Sequence, residues 1–211
     1  MKNIIKICGI TDTNQAIEIA EYGPTHIGMV YFERSPRHIN LDKIREITGS
    51  IKNKVKTVAI TVNPDYKTVK QLLELTDFVQ LHGDETIDFA EQFGNQKIIK
   101  AFRIRNETDI DKIKPFTEKN YTILIDAFSE NAYGGTGKQI NRILAKKIID
   151  YHPLTILSGG LSSDNINETL RFVKPFGVDA SSKLEKLPGV KDLKKVKKFI
   201  KEAKKFYESD Y

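Results

Sequence analysis

The sequence predicts an α/β fold, a (β/α)8 TIM barrel of eight parallel strands, on three observations. Short runs rich in Ile and Val alternate with longer segments of helical period, eight times in about 205 residues. Several runs are apolar on both faces, as parallel strands are when helices cover both sides of a sheet. The positions where the runs end are polar and rich in glycine, and strand C-terminal ends are where such a barrel holds its chemistry.

The strands are expected at Ile4–Cys8, His26–Val30, Lys56–Val62, Phe78–Leu81, Ile98–Phe102, Thr122–Asp126, Thr155–Ser158 and Gly177–Ala180. After the first, Thr11-Asp12-Thr13 offers helix caps, Ala16, Ile17 and Ala20 share a face, and Gly23-Pro24 stops the helix. After the second, Asn40 caps a helix carrying Ile44 and Ile47. After the third, Asn63-Pro64 reads as a cap followed by proline at the first helical position. Phe89, Ala90 and Phe93, then Gly94, mark the fourth helix. Pro115 interrupts the fifth. Past the sixth strand comes a long glycine-rich loop. Ser162-Ser163-Asp164 caps a helix with Ile166, Leu170 and Val173 that ends before Pro175. The last helix is basic.

This rhythm fills residues 1–211 as one domain, near the short limit for the fold. An open doubly wound sheet is the structural alternative, but the first βα turn lacks a G-x-G-x-x-G fingerprint. No apolar run approaches the 18 residues of a membrane span, and the first ten residues lack the apolar core of a secretory signal. With one cysteine, Cys8, no intrachain disulfide is possible, and a cytoplasmic location is expected. The net charge is +6, and Lys191–Lys205 holds eight lysines. Those lysines alternate with Leu193, Val196, Phe199, Ile200 and Ala203 at helical spacing, so they read as the solvated face of a helix and not as a nucleic-acid surface. The four histidines show no metal-ligand spacing.

Gly159-Gly160 follows the seventh strand and Ser181-Ser182 the eighth. Those two loops, with a short extra helical turn for which Ser181–Lys186 has room, are the usual phosphate cradle of a TIM barrel. Glycine lets backbone N–H groups approach an anion, and a helix start supplies unpaired donors. Cys8 ends the first strand and Asp126 the sixth. If both point inward, a thiol and a carboxyl face each other across the barrel mouth, an arrangement suited to a base and an acid. His82 ends the fourth strand and could line the pocket, as could Arg103 at the end of the fifth. By strand parity Lys6 points the way Cys8 does, and barrel closure brings Asp179 beside it. A Lys6–Asp179 pair that lowers the pKa of Cys8 is therefore expected.

At these residues the chain resembles the phosphoribosylanthranilate isomerase family over nearly its whole length. The matching strings are Lys6-Ile7-Cys8-Gly9-Ile10, Ser35-Pro36-Arg37, Val79-Gln80-Leu81-His82-Gly83, Asp126 followed by Gly134-Gly135-Thr136-Gly137-Lys138, Ser158-Gly159-Gly160-Leu161, and Gly177-Val178-Asp179-Ala180-Ser181-Ser182. The resemblance implies an Amadori rearrangement of N-(5-phosphoribosyl)anthranilate in tryptophan biosynthesis, with Asp126 as general acid and Cys8 as general base. It implies Arg37 on the anthranilate moiety, and His82, Arg103 and Asp179, by their places at or near strand ends, are the further candidates for contact with substrate. It implies phosphate held by Gly135, Gly159, Gly160, Ser181 and Ser182, and the Gly134–Gly137 loop over the substrate. No metal or redox cofactor is implied. The partner is a small phosphorylated molecule, with no nucleic acid or membrane, acting on a monomer or homodimer. Two places depart from the family pattern. Gln139-Ile140-Asn141 stands where a Phe-Asp-Trp-like segment is common, and Lys183 where glycine is common. The competing readings are a related phosphosugar isomerase or lyase, such as an indoleglycerol phosphate synthase, and a non-catalytic phosphometabolite-binding barrel. Cys8 with Asp126 discriminates against the synthase, which needs lysine and glutamate at strand ends.

Overall fold

A computed structural model describes residues 3–127 and 141–209. In chain order the elements are β1 (Ile4–Cys8), α1 (Thr13–Glu21), β2 (His26–Val30), α2 (Leu41–Ser50), β3 (Lys56–Thr61), α3 (Tyr66–Leu75), β4 (Phe78–Leu81), α4 (Ile87–Glu91), β5 (Ile98–Ile104), α5 (Ile110–Glu118), β6 (Thr122–Ala127), α6 (Arg142–Tyr151), β7 (Thr155–Leu157), α7 (Ile166–Val173) and β8 (Gly177–Ala180). A 3-10 turn (Ser182–Leu184), a small hairpin of β9 (Glu185–Leu187) and β10 (Val190–Lys191), and α8 (Leu193–Ser209) follow. Strands β1 to β8 pair in sequence order, and β8 returns to β1, closing a parallel barrel.

Alternation along the strands makes two cores. Ile4, Val30, Val58, Ile60, Ile99, Ala101, Leu124 and Ile156 fill the inside of the cylinder together with Cys8. Ile5, Ile7, Ile27, Val79, Ile123 and Val178 face outward into a second core shared with the helices. Gly177 is required at the closure of the barrel, because a Cβ there would lie 2.6 Å from Cβ of Ile4.

The expected strand limits hold to within one or two residues. Asp12 and Asn40 cap α1 and α2 as anticipated, each accepting a backbone N–H three residues on. Four local expectations are corrected, one of them the cap of α7, which is Asn165 and not a residue of Ser162-Ser163-Asp164. The cap of α3 is Asp65, not Asn63. Asn63 takes φ +47 and its Oδ1 accepts the Asp84 N–H at 2.7 Å, so it tethers the loop after β4. Pro115 does not break α5, since it deletes only the bond to the carbonyl four residues earlier while Ile113 and Phe116 stay buried. The glycine-rich stretch after β6 gives way to α6, whose cap Asn141 accepts from Ile143 and Leu144 N–H.

The basic segment divides in two. In α8, Val196, Phe199, Ile200, Ala203 and Tyr207 are buried and most of the lysines point to solvent. Lys191 lies before that helix, however, and is 1% exposed. Lys100, on β5, is buried as well. It donates to the carbonyls of Gly83 and Ala101 at 2.8 and 2.9 Å and pairs with Glu85 at 3.0 Å. Glu85 in turn accepts the N–H groups of Asn63 and Gly83. This cluster pins the loop after β4, directly beyond His82. Among the described residues no helix is long and apolar enough to cross a membrane.

Candidate active site

Strand β1 sends Ile4, Lys6 and Cys8 into the barrel. Cys8 belongs to the inner core, and its Sγ lies 3.1 Å from where a Cβ at Gly28 would stand. Cε of Lys6 lies equally close to that point, at 3.1 Å. Gly28 is the β2 partner of Cys8 in the register, so the missing side chain at 28 is the space both residues occupy. Lys6 is fully buried and its Nζ meets Asp179 Oδ1 at 2.9 Å, on the adjoining register position of β8. The expected pair is thus present. Its expected effect on the thiol is only partly so. Burial pushes the Cys8 thiol up, Lys6 pulls it back, Asp179 pushes it up again, and the net direction is upward. The lysine opposes the rise without reversing it, because burial is the larger effect and Asp179 offsets part of the lysine's pull.

Asp126 enters the same cavity from β6 and is 6% exposed. Its Oδ1 accepts the Ala127 N–H at 2.8 Å. Burial raises its carboxyl from 3.8 to about 7. The Ala127 N–H opposes the rise, Asp179 adds to it, and the Lys6 and Arg103 charges oppose it. Gly159 stands against this group at φ +92. A Cβ there would lie 2.9 Å from Ala127 N and 3.1 Å from Asp126 Oδ1. His82, on the inner face of the wall two strands away, brings Nε2 to 3.9 Å from Asp126 Oδ2. That is too long for a hydrogen bond. Its Nδ1 lies 3.0 Å from Gln80 Nε2. Burial, then Lys100, Lys6 and Arg103, push the His82 imidazole down to about 3, so it is neutral. Arg103 Nη2 lies 3.4 Å from Asp84 Oδ1 at the rim.

The anion loops sit alongside. Gly159 and Gly160 both take positive φ, and Asn165 Nδ2 donates to the Gly160 carbonyl at 2.9 Å. Ser158, just before them, reaches Asp179 Oδ2 at 3.3 Å. Ser181 follows β8, and Ser182 begins the 3-10 turn. Lys183 lies exposed in that turn with no positive φ, so the position does not demand glycine. Arg37 folds over Gly9. A Cβ at Gly9 would be 2.6 Å from Arg37 Cδ and 2.9 Å from Ser181 Oγ. The arginine fork closes on Glu185, Nε to Oε1 at 2.8 Å and Nη2 to Oε2 at 2.7 Å.

Cys8, Asp126, His82, Asp179 and Arg37 therefore come together with Ser181 at one end of the barrel. Gly135 lies outside the described residues, as do Gly134, Thr136, Gly137, Gln139 and Ile140. Glu185, Lys191 and Gln80 escaped the sequence reading. For Gln80 a signal existed, since it shares strand parity with His82. Glu185 and Lys191 gave none, being one acidic and one basic residue in a highly charged tail. A broad concavity at the opposite end of the barrel, lined by Asn3, Thr25, Lys56, Asp77, Lys97 and Lys204, contains none of these groups.

Residues 5–202 match the family model described as N-(5'phosphoribosyl)anthranilate (PRA) isomerase. A relative named N-(5'-phosphoribosyl)anthranilate isomerase, from Sulfurihydrogenibium sp. (strain YO3AOP1), is 53% identical over 197 residues, 93% of this chain and 97% of that protein. The crystal structure of phosphoribosyl anthranilate isomerase from Thermotoga maritima superposes with a TM-score of 0.88 at 32% identity, covering 97% of this chain and 100% of that one. A structure of such an isomerase in complex with reduced 1-(o-carboxyphenylamino)-1-deoxyribulose 5-phosphate gives a TM-score of 0.83 at 32% identity, with coverage of 97% and 100%.

Proposed function

The chain belongs to the N-(5'-phosphoribosyl)anthranilate isomerase family, and from that premise we propose how its residues divide the reaction. The enzyme isomerises N-(5-phosphoribosyl)anthranilate to 1-(2-carboxyphenylamino)-1-deoxyribulose 5-phosphate in tryptophan biosynthesis. Asp126 is the general acid. With its carboxyl near 7 it holds a proton through much of the neutral range and releases it to the furanose ring oxygen. The C1–O bond breaks, and the nitrogen lone pair forms a protonated Schiff base at C1.

Cys8 is the general base. Its thiol begins protonated, because burial raises it. The iminium cation formed beside it favours the thiolate, as does Lys6, and the proton leaves for solvent or for the new carboxylate. The thiolate then takes the proton from sugar C2, and the electron pair moves through C1 to nitrogen. The resulting enolamine tautomerises to the ketone. What supports this division is that Cys8 and Asp126 are both buried in the barrel near the Lys6–Asp179 ion pair, whose charges bear on each of them.

Around them, Gly159, Gly160, Ser181 and Ser182 hold the phosphate, and Gly135 is assigned to the same group. Arg37 meets the anthranilate end. His82, Arg103 and Asp179 complete the wall against substrate. The chain works as one barrel domain on this small phosphorylated substrate, with no nucleic acid partner. The test follows the fluorescence of freshly made phosphoribosylanthranilate on adding protein. Wild type abolishes it, while Cys8→Ala and Asp126→Asn each lower kcat by about 10²-fold or more. Near-wild-type turnover in either variant rejects the role given to that residue. Phosphate binding without conversion by wild type would favour a metabolite-binding barrel.

A further inference from the structure

Glu185 and Lys191 stand outside every role assigned above. The Glu185 side chain is 3% exposed and that of Lys191 0%. Glu185 Oε1 accepts from Arg37 Nε at 2.8 Å and from Lys191 Nζ at 2.7 Å, while Oε2 accepts from Arg37 Nη2 at 2.7 Å. Lys191 also reaches the Ser181 carbonyl and hydroxyl at 3.3 and 3.4 Å. One buried carboxylate is thus shared by two buried cations, and the trio retains one positive charge. An uncompensated charge in such surroundings is costly, so the trio favours an incoming anion. The fork takes up Nε and Nη2 of Arg37 and leaves Nη1 without a hydrogen-bond partner among the described residues. That fixes the guanidinium plane and presents one edge. The arginine lies across Gly9, whose φ of +77 and absent Cβ make the crossing possible directly after Cys8.

We propose that Glu185 is a positioning residue, orienting Arg37 for the carboxylate on the substrate's anthranilate ring, with Lys191 holding Glu185 in place. This rests on the reading of Arg37 as the contact to that ring. Glu185 touches no substrate atom. It removes the entropy that a freely turning guanidinium would lose on binding, and the remote ring is bound alike in ground and transition states. The effect therefore falls on KM and largely spares kcat.

The experiment is a double-mutant cycle with Arg37→Ala and Glu185→Gln, read by KM, kcat and the thermal midpoint. Glu185→Gln raises KM about tenfold with kcat within about threefold. In the Arg37→Ala background it changes KM by less than about twofold, because its partner is gone. An equal rise in both backgrounds, or a fall in kcat at constant KM, overturns the proposal. If Arg37→Ala alone leaves KM unchanged, the reading of Arg37 has failed and this inference with it. If Arg37→Ala raises KM and Glu185→Gln does not, only the inference fails. Should Glu185→Gln not fold, Glu185→Asp keeps the charge, draws the carboxylate back by one methylene, and reads the same split.

Discussion

Replacing Asp126 with asparagine should make the protein more stable and the enzyme slower. The folded carboxyl lies near 7 against an ordinary value of 3.8, chiefly through burial. An acid raised on folding is destabilising where the unfolded chain would be ionised. Below about pH 4 both states hold the proton and there is no penalty. The penalty grows as pH rises and levels off above about 7. At about 1.36 kcal/mol per pH unit, the difference between the two values amounts to roughly 4 kcal/mol. The amide keeps the shape and the oxygen that accepts the Ala127 N–H at 2.8 Å. Denaturant unfolding should show Asp126→Asn ahead of wild type by about 2–4 kcal/mol at pH 8, and by less than about 0.5 kcal/mol at pH 4. For a chain of this size the pH 8 gain appears as a rise of roughly 5–15 °C in Tm. Turnover of the same samples falls by about 10²-fold or more. In wild type, kcat/KM should decline above about pH 7 as Asp126 loses its proton. An equal stability gain at both pH values, or a loss at pH 8, would show that burial does not hold this carboxyl protonated, and the general acid would lose its physical basis.

Three further outcomes are expected. Lys6→Met leaves Asp179 buried without its cation, costing about 3–5 kcal/mol in unfolding measurements. It also shifts alkylation of Cys8 to higher pH, and an unchanged alkylation profile would end the claim that Lys6 supports the thiolate. Gly28→Ala places a methyl within 3.1 Å of Cys8 Sγ and Lys6 Cε, so a loss of about 1–3 kcal/mol should accompany a lowered kcat. Full activity at normal Tm would mean the two side chains do not share that space. Lys100→Met removes the cation from the Glu85 cluster. It should lower stability by about 3–5 kcal/mol while kcat at low temperature falls far less than in Cys8→Ala, and a kcat loss equal to that of Cys8→Ala would refute the structural role of this cluster.

The strands were legible because they are local objects. Apart from Lys6 and His26, Ile4–Cys8 and His26–Val30 carry no polar side chain on either face, as a strand covered on both sides should. Asp12 and Asn40 were legible because a cap acts three residues away. Cys8 and Asp126 were legible as strand-end residues, and parity supplied their direction. The misreadings share a cause. Asn63 reads as a cap because its partner Asp84 lies 21 residues on. Lys191 reads as one of the solvated lysines because the burial that Glu185 makes possible depends in turn on Arg37, 148 residues from that glutamate.

By itself, then, the sequence determined the eight barrel strands and most of the helices, the closed parallel barrel, and which groups stand at the C-terminal ends of its strands. Tertiary structure alone decided the electrical state of those groups. Whether Asp126 keeps a proton, whether the Cys8 thiol rises or falls, and which cations are buried all depend on how much water the closed barrel excludes and on which charges its register sets within a few ångströms. Desolvation and Coulomb energies vary steeply with depth and distance, and neither quantity is written in the order of residues along a chain.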